Sequence, residues 1–247
     1  AGFDFGGWRD AHALLGAFTD YPRVILTNDS LIPVSAGVGA TIAAHASSKA
    51  DWLFSTHNLE VSPHGQTFLM SYDPGRFGHL IHEVFAIDDL KTKQDVIDKV
   101  EIPLAERISS LGFTVDFLLR EDCYHPSKRD LNPTLHSAQQ LVEHGFAFVK
   151  AEYLTNKIGE MGSWLADAFE PERLRDIQEH LNRRYPNWDD EASIGLGVPQ
   201  GVPARKRRVI LMGHNAEVGG AQRLLLALAK TLTSVLDYEI MIILADG

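Results

Sequence analysis

The sequence predicts an α/β protein, because strand-like and helix-like segments alternate along most of the chain. Short apolar runs such as 24–27 are typical of strands, and they alternate with segments such as 8–18 that carry apolar residues at helical spacing. Near the end of the chain a strand, a glycine pair and a helix follow one another, as in the first βαβ unit of a doubly wound domain. Together these patterns favour sheets that are covered by helices.

Local signals support each predicted element. Pro74 is suited to the first turn of a helix, Gly112 to the end of one, and Asn132 with Pro133 to an N-cap followed by a first helical residue. The predicted strands are 24–27, 52–56, 66–71, 114–119 and 146–150, and the predicted helices are 8–18, 74–85, 95–111 and 133–144.

Composition narrows the class of protein. Of the 247 residues, 45% are apolar and 9% are aromatic, which is enough for a sizeable core. The 33 acidic residues outnumber the 23 Lys and Arg, and the resulting net charge of −10 argues against nucleic acid as a partner. Cys123 is the single cysteine and no apolar run reaches the length of a membrane span, so we expect a cytoplasmic protein.

The chain divides into four predicted parts. Residues 1–155 form the first α/β domain, 156–188 a helical appendix, 189–206 a linker rich in Gly, Pro and charge, and 207–247 the opening βαβ unit of a second domain. The chain begins at Ala1 without a methionine and ends just after a strand. We therefore expect a fragment of a longer protein, with the first domain cut at its N-terminal side and the second at its C-terminal side.

The polar triplet Asn28-Asp29-Ser30 follows a predicted strand, where α/β folds bind ligands. Asp29 could hold a divalent metal, Mg²⁺ or Mn²⁺, that bridges a diphosphate, because hard oxygen ligands suit these ions. The alternative is an Asx turn that simply ends the strand, and spacing alone favours the turn.

Other candidates are more isolated. Glu101 lies in a predicted helix two residues before Pro103, which should interrupt that helix, and a carboxylate there could take a proton from an acceptor hydroxyl. His64 and His136 could bind a ligand, although a lone histidine more often packs or caps. The glycine-rich segment at 4–8 could approach a ligand closely or simply lead into a helix.

Five segments, taken in order, resemble the rhamnan synthesis protein F family. They are "GFDFGGWRDA" at 2–11, "VILTNDSLIP" at 24–33, "SPHGQTFLMSY" at 62–72, "DVIDKVEIPLAERISSLGF" at 95–113 and "NPTLHSAQQLVEHGFAFVKAEYL" at 132–154. Members of that family are similar to GT-A-type glycosyltransferases of bacterial surface polysaccharide assembly. The resemblance implies a GT-A-like, Rossmann-type sheet that lacks its first half in this chain. This chain departs from the family at Gly65, where members commonly carry a large apolar residue.

The resemblance also implies an activity. It implies transfer of rhamnose or a related sugar from a nucleoside diphosphate sugar, dTDP-rhamnose above all, to a glycan or lipid-linked glycan at the cytoplasmic face of the inner membrane. Asp4, Arg9, Asn28, Asp29, Ser30 and His136 would then bind the donor and its diphosphate, with Asp29 as the metal ligand. His64 and Gln66 would line the acceptor side, and Glu101 would be the catalytic base.

Residues 207–247 are similar to the start of a family-4 GT-B glycosyltransferase. In that resemblance Gly219 and Gly220 line the cleft at a helix N-terminus. The alternative from another class of protein is a non-catalytic glycan-binding or scaffolding domain that kept the fold.

Overall fold

The structure, a computed structural model, describes residues 3–28, 30–34, 37–85, 90, 92–156, 164–169, 177, 208–213 and 239–244. Within them the fold is mixed α/β, with one seven-stranded sheet and a separate two-stranded sheet. The predictions for Asp29, Gly219 and Gly220, and for the linker at 189–206, lie outside the described residues.

The strands are, in chain order, β1 (Val24–Thr27), β2 (Leu31–Pro33), β3 (Trp52–Asn58), β4 (His64–Gly65), β5 (Leu69–Tyr72), β6 (Val115–Leu119), β7 (Phe148–Lys150), β8 (Arg208–Gly213) and β9 (Glu239–Leu244). The α-helices are α1 (Phe3–Leu15), α2 (Val38–Ser47), α3 (Pro74–Phe77), α4 (Ile81–Phe85), α5 (Lys93–Val96), α6 (Ile102–Ser110), α7 (Pro133–His136), α8 (Ala138–Glu143), α9 (Ala151–Asn156) and α10 (Trp164–Ala168). Short 3₁₀ turns occupy Gly78–Leu80, Glu121–Cys123 and Pro126–Lys128.

Five strands of the large sheet run in the same direction. β1 and β3 are each antiparallel to β5, so they are parallel to one another, and β6, β8 and β9 join them through parallel pairs. The carboxyl ends of these five strands therefore lie along one edge of the sheet. β5 runs the opposite way, and its first residue, Leu69, lies opposite Thr27 at that same edge.

The strand that returns from the β3–β4 hairpin contains a bulge. Phe54 lies opposite Met70 and His57 lies opposite Gly65, so three steps along β3 correspond to five along the returning strand. Two extra residues are thus accommodated between β4 and β5. The tip of this hairpin, residues 59–63, is largely exposed.

Two apolar clusters cover the two faces of the sheet. On one face Val24 and Leu26 pack with residues of α1, α4 and α6, whereas Ile25 packs on the other face with residues of β2, β7 and α8. Both faces of β1 are therefore buried, as expected for an internal strand of a covered sheet.

The helix around Pro103 changes its hydrogen-bonding pattern, as the sequence predicts. α5 and α6 are joined by a π-helical segment, Ile97–Glu101, and the three form one continuous helical stretch. Proline at 103 has no N–H for the carbonyl of Lys99, and the guanidinium of Arg107 donates to that carbonyl instead at 3.3 Å.

Several other predictions of local structure are confirmed. β1 has the predicted bounds, and Asn132 caps α7 by accepting a hydrogen bond from the N–H of Thr134. Gly112 and Gly145 follow helices with φ of 85° and 91°, a region that favours glycine. The described part of the predicted appendix includes the helix α10.

The predicted start of the first helix is wrong. α1 begins at Phe3 and not at Trp8, and both glycines of the glycine-rich segment lie inside the helix. Phe5 and Trp8 are buried, with their ring centroids 5.0 Å apart, and this burial offsets the low helix propensity of glycine.

The strands predicted to open a separate domain extend the same sheet. β8 and β9 pair in parallel, as a βαβ unit requires, but β8 also pairs in parallel with β1. An edge of β1 that would otherwise be unpaired is thereby covered. The four-part domain division itself stays a prediction.

No helix in the described ranges has the length and apolar character needed to cross a bilayer.

Candidate functional site

The carboxyl edge of the large sheet carries several polar side chains. Asn28 directly follows β1, Asn58 ends β3, and Glu121 comes soon after β6. The loop that enters β5 reaches the same edge, and the carbonyl of Phe68 accepts a hydrogen bond from the N–H of Asn28 at 3.1 Å. Ligands of α/β folds bind at this edge, so it is the candidate site.

Asn28 connects two of the predicted donor-binding segments. Its Nδ2 donates to Oδ2 of Asp4 at 3.2 Å, while its Oδ1 accepts hydrogen bonds from the N–H of Ser30 at 3.1 Å and from Oγ of Ser30 at 2.7 Å. The bond to the Ser30 N–H defines an Asx turn, the alternative that spacing favours. The same side chain thus forms the turn and brings Asp4 to the end of β1.

The ligand chemistry around this turn suits a hard divalent ion. Asp4 supplies a carboxylate beside the side chain of Asn28, and Mg²⁺ needs only one or two carboxylates when substrate phosphates complete its shell. No cluster of three or more His, Cys, Asp or Glu residues suitable for a metal occurs among the residues that the structure describes. The role of Asp29 as metal ligand stays a prediction.

Glu101 is the last residue of the π-helical segment and is partly buried. Such single-turn π segments occur frequently at functional sites, because they displace a side chain from the regular helical face. The carboxylate lies close enough to Lys150 to favour its charged form. The structure therefore brings Glu101 towards the last block of the resemblance, "NPTLHSAQQLVEHGFAFVKAEYL".

Lys150 is a polar residue of this region that the sequence predictions missed. It ends β7, opposite Leu31 of β2, and the N–H of Ala151 donates to the carbonyl of Ser30 at 2.8 Å. Its Nζ lies 5.1 Å from the ring centroid of Phe68. A lysine that ends an otherwise apolar strand, "FAFVK", is the sequence signal that could have identified it.

The charge of Lys150 depends on several neighbours. Burial lowers the pKa of Lys150, and the carboxylate of Glu101 opposes that shift. Glu152 and Glu60 act in the same direction as Glu101, whereas Lys93 adds to the lowering.

His64 and Gln66, the predicted acceptor-binding residues, are buried in the returning strand of the hairpin. Gln66 is only 1% exposed; it accepts a hydrogen bond from Oγ1 of Thr56 at 2.9 Å and donates to Oδ1 of Asn132 at 3.2 Å. His64 is 4% exposed, and its Nδ1 donates to the carbonyl of Ser62 at 2.7 Å. His64 bonds within the hairpin, whereas Gln66 also joins the hairpin to the N-cap of α7. The role of both side chains towards an acceptor stays a prediction.

Arg9 and His136 do not contact this cluster through the hydrogen bonds of the described residues. Arg9 is partly exposed on α1, and its Nε lies 3.2 Å from Oδ1 of the adjacent Asp10. His136 is the last residue of α7 and is partly buried.

A histidine–carboxylate pair was also missed. His57 Nδ1 lies 2.8 Å from Oε2 of Glu121, and this hydrogen bond is the main reason that the pKa of Glu121 is lowered. The imidazole ring packs 4.4 Å from the ring of Phe117, and the His57 carbonyl accepts a hydrogen bond from the hydroxyl of Tyr124. The hydrogen bond to the carboxylate fixes the orientation of the imidazole ring. No local signal links two residues that are 64 positions apart.

Gly65 faces the ring of Phe54. A Cβ at this position would overlap that ring, which is fully buried and stacked on Phe117 at 5.8 Å. Glycine at position 65 therefore has a local cause, since Phe54 occupies the space that a side chain would need.

Comparison of the chain with models of protein families, with curated proteins and with solved structures found no match.

Proposed function

We propose that the chain is part of a nucleotide-sugar-dependent glycosyltransferase, similar to the rhamnan synthesis protein F family. It would transfer rhamnose or a related sugar from a nucleoside diphosphate sugar to a glycan of the bacterial cell surface. The first α/β part would be the GT-A-like module, and residues 207–247 would belong to a GT-B-like module.

One observation carries the proposal, namely that all five blocks of the resemblance are linked at the carboxyl edge of the sheet. The first and second blocks meet through Asp4 and Asn28, and the second and fifth through Ser30 and Ala151. The third and fifth meet through the hydrogen bond from Gln66 to Asn132. The fourth contributes Glu101, which interacts electrostatically with Lys150 of the fifth block. Segments far apart in sequence thus contribute polar residues to one region, as a ligand site requires.

The proposed reaction needs one base and a way to hold the donor. Asp4, Asn28 and Ser30 would orient the diphosphate, and Glu101 would accept the proton of the attacking hydroxyl. A divalent ion held by Asp29, when bound, would neutralise charge on the diphosphate. A direct displacement of this kind requires no covalent intermediate.

A glycan-binding or scaffolding protein is the second candidate. The hydrogen bonds within the Asx turn and the burial of Gln66 favour it, because they assign structural roles to polar side chains of the predicted site. This candidate predicts glycan binding without consumption of a nucleotide sugar.

The test is turnover of a panel of nucleoside diphosphate sugars, dTDP-rhamnose included, by the full-length protein with and without Mn²⁺. Glu101→Gln should lower turnover by about 100-fold or more, the range measured for loss of a positioned acid or base. Asp29→Ala should lower turnover and weaken its dependence on Mn²⁺, because it removes the proposed metal ligand. Glu106→Gln is a matched control, because Glu106 is exposed on the helix that follows Glu101. Wild-type turnover in both site variants would disprove the site assignment. Glycan binding with no turnover by the unaltered protein would favour the scaffold.

A further inference from the structure

The ammonium of Lys150 lies in an unusual environment for a lysine. It is held over the ring of Phe68, with Nζ 5.1 Å from the ring centroid, in a cation–π arrangement. Its backbone is fixed in the β2–β7 ladder opposite Leu31. The adjacent N–H of Ala151 is bound to the carbonyl of Ser30. Backbone hydrogen bonds therefore set the position of Lys150 relative to the loop after β1.

The three N–H donors of this ammonium find no hydrogen-bond acceptor or ion-pair partner in the described part of the chain. Glu101, Glu152 and Glu60 are close enough to favour the charged form, but none of them forms an ion pair with Lys150. A charged donor that is largely removed from water destabilises the protein when it has no acceptor. An acceptor supplied by a ligand removes that penalty. Lys150 remains partly exposed, so a group from solution can reach it.

We infer that Lys150 is an anion-binding residue that holds a phosphate group at the carboxyl edge of the sheet. A lysine ammonium is a compact point charge that binds phosphate oxygens, whereas the ring of Phe68 shields its other side. The identification of this group with the diphosphate of a nucleotide sugar rests on the proposed function. In that case Lys150 stabilises charge on the leaving diphosphate.

The binding test uses inorganic pyrophosphate and dTDP, titrated calorimetrically into the full chain in buffer with a chelator. Lys150→Met keeps the length of the side chain over Phe68 and removes the charge, and Lys150→Gln keeps a polar end. Both should weaken pyrophosphate binding by about 10- to 100-fold, as expected for loss of a charge-assisted hydrogen bond. Lys128→Met, at an exposed lysine of a 3₁₀ turn, is the control and should change affinity by less than about twofold.

Unchanged pyrophosphate affinity in both Lys150 variants would overturn the inference, as would the absence of pyrophosphate and dTDP binding by the unaltered protein at millimolar concentration. The thermal unfolding midpoint without ligand shows whether each variant is folded, and the ligand-induced rise in that midpoint provides a second measure of affinity. If pyrophosphate binds through Lys150 but no nucleotide sugar is consumed, the inference holds and the proposed function fails. If sugar transfer proceeds with unchanged kcat/KM in Lys150→Met, the proposed function holds and the inference fails.

Discussion

Asn28 donates a hydrogen bond from its side-chain amide to Asp4, and this contact joins α1 to the turn that follows β1. The same residue accepts two hydrogen bonds from Ser30. The turn and the packing of the first helix are therefore coupled through one side chain.

Asn28→Ala should lower the free energy of unfolding by about 1–3 kcal/mol, because it removes these hydrogen bonds and leaves partly buried partners without them. Urea denaturation of Asn28→Ala, Asp4→Ala and the double variant measures the coupling, which we expect to be about 0.5–1.5 kcal/mol. Strict additivity of the two single variants would contradict the contact.

Gly65→Ala should destabilise the protein by about 1–3 kcal/mol, because the added methyl group competes with the ring of Phe54 for a filled space. The same substitution in a Phe54→Leu background should cost less than it does in the unaltered chain. Chemical denaturation of the four proteins measures the difference. Equal costs in both backgrounds would show that Phe54 does not restrict position 65.

The buried His45 should make the stability of the protein depend on pH. The imidazole is fully buried between Oγ of Ser71 and Oγ of Ser55, each 2.9 Å away, and burial, with a smaller contribution from Arg23, lowers its pKa to about 3. In the unfolded chain the pKa is about 6.5. Between these two values the unfolded state binds a proton that the folded state does not.

Stability should therefore fall as pH falls from about 6.5 towards 3, by up to about 1.4 kcal/mol per pH unit from this residue, and should be unaffected by it above that window. Urea denaturation at pH 7, 6, 5 and 4 tests this, with His45→Gln as the comparison. In His45→Gln, the pH dependence of the free energy of unfolding between about pH 6.5 and 3 should correspond to the uptake of about one proton fewer on unfolding. Parallel slopes for the two proteins would show that His45 is not the cause.

Asn132 is expected to stabilise the protein through two elements at once. Its Oδ1 accepts hydrogen bonds from the N–H of Thr134 at 3.2 Å and from Nε2 of the buried Gln66 at 3.2 Å. Asn132→Ala should cost about 2–4 kcal/mol, since an N-cap and the partner of a buried amide are both lost. Asn132→Asp keeps the acceptor and should cost clearly less in thermal denaturation. Equal losses in the two variants would argue against the role of this oxygen.

Local signals predict the elements whose causes are local. β1 is an apolar run that ends in polar residues, Asn132 with Pro133 starts a helix, and Pro103 lies where a continuous helix changes its hydrogen-bonding pattern. Each of these features depends on residues that are close in sequence, so a sequence pattern is sufficient to predict it.

Other features depend on contacts between distant residues and were missed for that reason. α1 extends through its glycines because Phe5 and Trp8 are buried, and β8 joins the first sheet because β1 has an unpaired side. The pair formed by His57 and Glu121 exists only once β3 and β6 lie side by side. The position of Asn28 at the candidate site was predictable, whereas the approach of Lys150 was not, because it follows from the pairing of β2 with β7.

The exposed tip of the β3–β4 hairpin lies outside both apolar clusters. Its hydrogen bonds include those from the N–H of Glu60 to Oδ1 of Asn58 and from Nδ1 of His64 to the carbonyl of Ser62. Surface loops of this kind accept insertions and substitutions at little cost in stability. Glu60 nevertheless acts on the charge of Lys150. Substitution of Glu60 should therefore change the electrostatic environment of Lys150 with the folded core retained.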